Sequence, residues 1–336
     1  MKLTLKFLML FITLLMNVLF ISCNDSETEE PILKSSLNSS TKSIEDNTTA
    51  ELTEIQKSTI LRLQQINDSI VPNKNNQFYA PSKKDNDWGE IVSADVTGLF
   101  HGFKYGLKKG KGIWGKLSTA LICSITFSVS YSAIAGIRII ATPHDITGIK
   151  KIGSSNVYQL SDVYGTLALA WNEQSMQQEW ERYSKSYPEA VTSETEESFK
   201  NAAMHNLVLK KLQSGVIVPI NVLKNFYSQA QLNFLNSAHV NNYFSDIPNI
   251  LNGSVKFSSY CTIDPCPYAT KIVDTYLDGI KRIQYTDRTS YINKTRSLSI
   301  EYIKVIQPDQ SLNVDVKSSV VSTMYVSHLS GEYWIK

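Results

Sequence analysis

The stretch that decides the fold runs Ala94-Asp95-Val96-Thr97-Gly98-Leu99-Phe100-His101-Gly102-Phe103-Lys104-Tyr105-Gly106-Leu107-Lys108-Lys109-Gly110. Glycine returns every fourth residue, at Gly98, Gly102, Gly106 and Gly110. On an α-helix this places all four on one stripe and leaves a groove that a second backbone can enter. Each glycine costs a helix about 1 kcal/mol relative to alanine, so four at this interval imply a compensating close approach. Gly112 and Gly115, on either side of Ile113-Trp114, read as a turn.

Beyond the turn, Leu117 to Ile137 carries no charge, and small residues again recur every four positions, at Ala120, Ser124, Ser128, Ser132 and Gly136. Two such stripes joined by a glycine turn suggest a helical hairpin, residues 94–141, packed backbone to backbone. A second period competes. Ile125, Phe127, Val129, Tyr131 and Ala133 alternate with Thr126, Ser128, Ser130 and Ser132, as in a half-buried strand. Length favours the helix, local composition the strand, and the helix is the expectation. With so many hydroxyls the segment is marginal as a membrane span, so a hairpin buried in protein fits at least as well. Lys104, Lys108, Lys109, Lys111 and Lys116 lie among the glycines with Tyr105 and Trp114. They read either as a solvated face or as an attachment to anionic head groups.

At the start of the chain, Lys2 and Lys6 precede the apolar run Phe7–Ile21, which is interrupted by Thr13 and Asn17 and ends at Ser22-Cys23. A basic start and a short apolar run read as a secretory signal, residues 1–22. Phe20-Ile21-Ser22-Cys23 resembles the lipobox of bacterial lipoproteins, with Phe20 where leucine is commonest. That resemblance implies an acylated Cys23 holding the protein to membrane lipid. Each buried CH₂ contributes about 0.8 kcal/mol, so two or more chains anchor stably without a spanning helix. Asn24 to Glu30 then places four acids in seven residues, and a Ser/Thr/Asn-rich tract follows. Residues 23–50 cannot bury enough apolar surface to fold and read as a disordered tether. Their acidic start resembles the surface-export signal of Bacteroidetes lipoproteins, which implies an outer-membrane location facing the cell exterior.

The chain has 336 residues, of which 42% are hydrophobic and 19% charged, enough for a well-buried core. Its formal charge is +2, and removal of Lys2 and Lys6 with the signal would level Lys+Arg with the 31 Asp+Glu. A neutral mature chain argues against a nucleic-acid binder acting through bulk charge. Four cysteines and five histidines leave little room for a disulfide scaffold or a multi-histidine metal centre.

Around the hairpin the patterns are helical. Leu52 to Ile70 shows one apolar face and is stopped at Pro72, while 78–93 reads as loop, so residues 51–93 are expected as helix and loop. Within 142–336, helices are expected over Val157–Tyr187, Thr192–Leu212, Pro219–Ile247, Ala269–Gln284 and Asp309–Leu329, with a loop over Asn252–Pro267. Early acids and late lysines suit the dipole of the second of these, and Gly215 closes it. The fold expected is mainly α: a helical domain around a central glycine-zipper-like hairpin, behind a disordered N-terminal tether.

Three patterns carry a wider resemblance. They are Trp88-Gly89-Glu90-Ile91-Val92-Ser93-Ala94-Asp95-Val96-Thr97-Gly98, His205-Asn206-Leu207-Val208-Leu209, and Ser330-Gly331-Glu332-Tyr333-Trp334. In order and approximate spacing they resemble a group of Bacteroidetes lipoproteins that share a glycine-zipper entry, a His-Asn-x-x-Leu helix and a C-terminal helix ending Ser-x-x-Tyr-Trp. The chain departs from that group in the zipper, where lysines, Phe100 and His101 stand for small residues. The resemblance implies a mainly helical lipoprotein and no particular biochemistry.

For chemistry, Cys261-Thr262-Ile263-Asp264-Pro265-Cys266 would close a small loop as a disulfide in an exported compartment. Cys123 reads as a small buried hydrophobe. No Gly-x-Ser-x-Gly, phosphate-cradling loop or metal-ligand histidine spacing occurs, so no catalytic residue, metal or cofactor is assigned. Glu194, Glu196 and Glu197 read as a solvated helix start. The expected role is binding or assembly, through self-association or a protein partner. The alternative is a membrane-active, bacteriocin-like protein that inserts residues 94–140.

Overall fold

The computed structural model describes residues 51–71, 87–109, 120–132, 135, 159–171, 174–186, 192, 194–215, 218, 220–284 and 287–334. The signal, the tether, Cys23, Gly110, Gly136, Lys111, Lys116 and the connector 142–156 lie outside them. The described chain is mainly helical and contains no strand. Its helices are α1 (Glu54–Ile70), α2 (Asp87–Lys109), α3 (residues 120–132), α4 (Leu160–Trp171), α5 (Gln174–Ser186) and α6 (Glu196–Gln213). After these come α7 (Ile220–Phe226), α8 (Gln229–Leu235), α9 (Ala238–Leu251), α10 (Pro267–Arg282), α11 (Arg288–Ile306) and α12 (Val314–Trp334).

The last helix is the axis of the core. Every residue from Ser319 to Gly331 is buried, because α2, α6, α10 and α11 all pack on α12. A helix enclosed on all sides cannot be amphipathic, and α12 mixes Val, Ser and Thr around its circumference. A buried hydroxyl in such a place needs a partner. Thr323 supplies its own by donating to the Ser319 carbonyl at 2.8 Å. Contacts from Ser198 to Ser318, Asn201 to Ser322 and Asn206 to Leu329 advance together, so α6 and α12 run parallel. Gly98 faces Phe127 and Tyr131 while Gly102 faces Cys123, so α2 and α3 run antiparallel.

Outside this centre, α4 and α5 cover α6, and α1 lies on α10 and α11. Asn67 pins α1 in place. Its amide donates to the Thr275 carbonyl at 2.8 Å, its Oδ1 accepts from Tyr302 at 2.8 Å, and a Cβ at Gly279 would sit 2.4 Å from that same Oδ1.

Several boundaries differ from the sequence reading. Residues 87–93 belong to α2 and are not loop, since Ile91 and Val92 are both buried in the core. Val157–Tyr187 resolves into α4 and α5. Pro219–Ile247 is three helices: Ser228 and Gln231 form a reciprocal capping box that starts α8, and Ser237 caps α9, so local hydroxyls restart the chain twice. The sequence reading passed over α11, which Asp287 caps through the amide of Ser290 at 2.8 Å. Gly215, at φ 69°, closes α6.

Candidate functional site

The two small-residue stripes meet in the described part of the hairpin. A Cβ on Gly102 would lie 2.3 Å from the Cys123 carbonyl oxygen and 2.9 Å from the Ser124 Cα; one on Gly98 would lie 2.8 Å from the Phe127 carbonyl oxygen and 2.9 Å from the Ser128 Cα. Only a residue without a side chain fits at either place. Ser124 donates to the Ala120 carbonyl at 2.8 Å, and Ser128 crosses to the Asp95 carbonyl at 2.8 Å, so α3 buries its hydroxyls while its backbone stays close to α2. Ser132 and Ala120 are also buried.

Of the described lysines of the stripe, Lys109 is exposed and Lys108 half-buried, whereas Lys104 is not on a solvated face. Lys104 is buried, its ammonium 3.3 Å from Asp264, 3.0 Å from the Thr270 hydroxyl, and over the rings of Phe100 and Phe257. Lys108 donates to Thr262 at 3.0 Å. Asp264 thereby ties the loop before α10 to α2. His101 stacks on Phe257 with ring centroids 3.8 Å apart, and burial, with the charge of Lys104 adding to it, drives its pKa well below the usual value.

Cys261 and Cys266, a possible disulfide by their spacing, stand as separate thiols. The reason is local: Cys261 Sγ turns to the Ile263 carbonyl at 3.3 Å, while Cys266 is drawn into the N-terminus of α10 with its amide on Asp264 Oδ1 at 3.0 Å. Burial, then the carboxylate of Asp264, pushes the Cys266 thiol up to about 12. Cys123 is wholly buried, and burial raises its pKa strongly.

The three motifs of the sequence converge on one buried polar cluster. Asp95 of α2 accepts a hydrogen bond from the Ser330 hydroxyl of α12 through Oδ2, and its Oδ1 lies 3.4 Å from His205 Nε2 of α6. Asn206 uses both amide hydrogens, on Tyr183 Oη at 2.8 Å and the Leu329 carbonyl at 2.9 Å. Its Oδ1 is therefore left as an acceptor, 3.1 Å from His205 Nδ1, which makes that nitrogen the donor. Nε2 then faces a carboxylate oxygen at 3.4 Å, with no hydrogen bond formed between them.

Aspartate, histidine and serine together suggest nucleophilic catalysis, but the order of contacts is wrong for it. Activation of a serine requires its hydroxyl on the histidine, with the carboxylate behind. Here the hydroxyl donates to one oxygen of the carboxylate, the imidazole lies beside the other, and all three side chains are wholly buried. The arrangement is suited to fixing α2, α6 and α12 against one another.

A cavity of about 260 Å³ lies one turn or more away, between α2, α3, α6 and α12. Leu99, Phe103, Leu121 and Ile125 form its apolar side, and Asn201, Ser319 and Ser322 its polar side. The sequence reading passed over these polar residues. Their signal was the spacing Ser319, Ser322 within a helix read only for the apolar row Val316, Val320, Met324 and Leu329. Among the described residues no cluster of His, Cys, Asp or Glu could hold a metal ion, and no helix is long and apolar enough to cross a membrane.

No protein-family model, curated protein or solved structure matches the chain. The helical fold and the sites within it rest on its own residues.

Proposed function

We propose that the protein is a lipid-anchored lipoprotein of the cell envelope, tethered through an acylated Cys23 at the outer membrane, whose helical domain has a binding or assembly role. The observation that carries this reading is Phe20-Ile21-Ser22-Cys23 at the end of a short apolar run, followed at once by an acidic, apolar-poor tract. An anchor made of acyl chains requires no spanning helix. The domain behind it offers a half-open cavity with one apolar and one polar side, the form of a small-ligand site.

The membrane-active alternative gains less support. Insertion of residues 94–140 would have to part Gly98 and Gly102 from α3 and take Lys104 out of its contacts with Asp264 and Thr270. Metabolic labelling with a clickable fatty acid tests the anchor. The wild-type chain should take up label and fractionate with membranes, and Cys23→Ala should do neither; equal labelling of the two rejects the proposal.

A further inference from the structure

The cavity between α2, α3, α6 and α12 has the features of a built site. Its floor is apolar, from Leu99, Phe103, Leu121 and Ile125. In its wall, Asn201 is only 6% exposed and directs its amide nitrogen to Ser322 Oγ at 3.3 Å, while its Oδ1 has no hydrogen-bond partner; Ser319, 7% exposed, likewise has no partner for Oγ. A buried acceptor without a donor is a standing cost to the fold, and a hydrogen-bond donor brought in by a ligand removes it.

The mouth sets the charge of that ligand. Glu197 and Asp315 stand there, both exposed, each in the first turn of its helix, and because α6 and α12 run parallel the two N-termini lie side by side. Each N-terminus carries about +0.5 of a charge, roughly +1 together, against −2 from the carboxylates, so the mouth is left with roughly one negative charge. The neighbouring cations are engaged elsewhere. Lys200 pairs with Glu196 at 2.7 Å and Lys317 donates to the Gln307 carbonyl at 2.9 Å. A volume of about 260 Å³ falls just under the roughly 300–1,000 Å³ of sites for drug-sized ligands, so the occupant is smaller than those.

We propose that this cavity binds a small amphiphilic amine, with the apolar body on Leu99, Phe103, Leu121 and Ile125 and the ammonium group between Glu197 and Asp315. An N–H of the ligand reaches the acceptors of Asn201 and Ser319. The site is independent of Cys23 and stands whether or not that residue is acylated.

The test uses the full chain in lipid nanodiscs and three probes of one shape: 3-phenylpropylamine, 3-phenylpropan-1-ol and 3-phenylpropionate. Titration calorimetry should show the amine binding at least tenfold tighter than the carboxylate, with the alcohol between. The exposed double variant Glu197→Gln/Asp315→Asn should bring the three within about twofold of one another. Leu121→Trp, which fills the floor from a half-buried position, should abolish amine binding, and in the wild type the amine should shift the NMR methyl signals of Leu99 and Ile125. Equal affinities in the wild type, no binding of the amine at millimolar concentration, unchanged selectivity in the double variant, or binding that leaves those methyl signals unmoved would each overturn the proposal.

Discussion

Oδ1 of Asp95 lies 3.4 Å from Nε2 of His205, and neither side chain has any solvent-accessible surface. Each residue comes from a different sequence motif, and the third motif supplies Ser330 to the other oxygen of the same carboxylate. Positions 95, 205 and 330 are thus joined at one point in the core. Removing one member of a buried polar cluster costs about 1–3 kcal/mol for each donor or acceptor left without a partner, because the interior cannot solvate it, and the lost packing adds to that. Asp95→Ala should therefore destabilise the chain by several kcal/mol. Ser330→Ala should cost about 1–3 kcal/mol through one lost donor. Asp95→Leu combined with His205→Met should cost less than the sum of the two singles, since no polar group is then stranded. Urea unfolding followed by circular dichroism measures all of these, and an Asp95→Ala variant within 1 kcal/mol of wild type would refute the role assigned to the cluster.

Two glycines of similar helical setting should respond in opposite ways to alanine. At Gly102 the new methyl would meet the Cys123 carbonyl oxygen at 2.3 Å and its carbon at 2.6 Å, and backbone cannot rotate away as a side chain can. At Gly331 the nearest atoms are in the rings and side chains of Tyr291 and Ile292, at 3.8 and 3.9 Å, which is ordinary contact. Overpacking costs about 1–3 kcal/mol or more, whereas alanine in place of a helical glycine returns about 1 kcal/mol. Gly102→Ala should lower the unfolding midpoint clearly and Gly331→Ala should leave it level or raise it. A reversed order would mean that α2 and α3 are not in backbone contact.

What the sequence carried and what it withheld follow from the range of the interactions. Four-residue glycine spacing is a local pattern, and it placed Gly98 and Gly102 on the face that meets Ser124 and Ser128. The strand-like alternation from Ile125 to Ala133 was real as a pattern, yet residues 120–132 are helical, because burial on several sides lets Thr126, Ser128 and Ser130 sit in the core. Ser130 does so by donating to the Thr126 carbonyl at 2.7 Å. The lysines show the opposite limit. Nothing near Lys104 in sequence announces Asp264, 160 residues later. Likewise, the near-apolar row of Val316, Val320, Met324 and Leu329 announced a helix at α12 but not its burial on every side, and the polar side of the cavity is assembled from α6 and α12, whose pairing is a property of the fold alone.

His328 and Glu332 are one helical turn apart on α12, with Nε2 and Oε1 at 3.6 Å, and they oppose each other in their dependence on pH. Burial, helped by Arg296, lowers His328 from 6.5 to about 3, so the folded state binds fewer protons there than the unfolded chain; its stability contribution is lost as pH falls from 6.5 towards 3. Burial raises Glu332 from 4.5 to about 7 against the opposing charge of Arg182, so the folded state holds a proton that the unfolded chain releases; its contribution is lost as pH rises from 4.5 towards 7. Between 4.5 and 6.5 the two slopes cancel. Substituting either residue should uncover the other. Relative to wild type, Glu332→Gln should gain stability as pH rises from 4.5 to 6.5, and His328→Gln should lose it. Each difference should be somewhat under about 1.4 kcal/mol per pH unit, since Glu332 is partly exposed. Urea midpoints at pH 4.5, 5.5 and 6.5 for the three proteins check this. Parallel curves would show that neither group changes its proton affinity on folding.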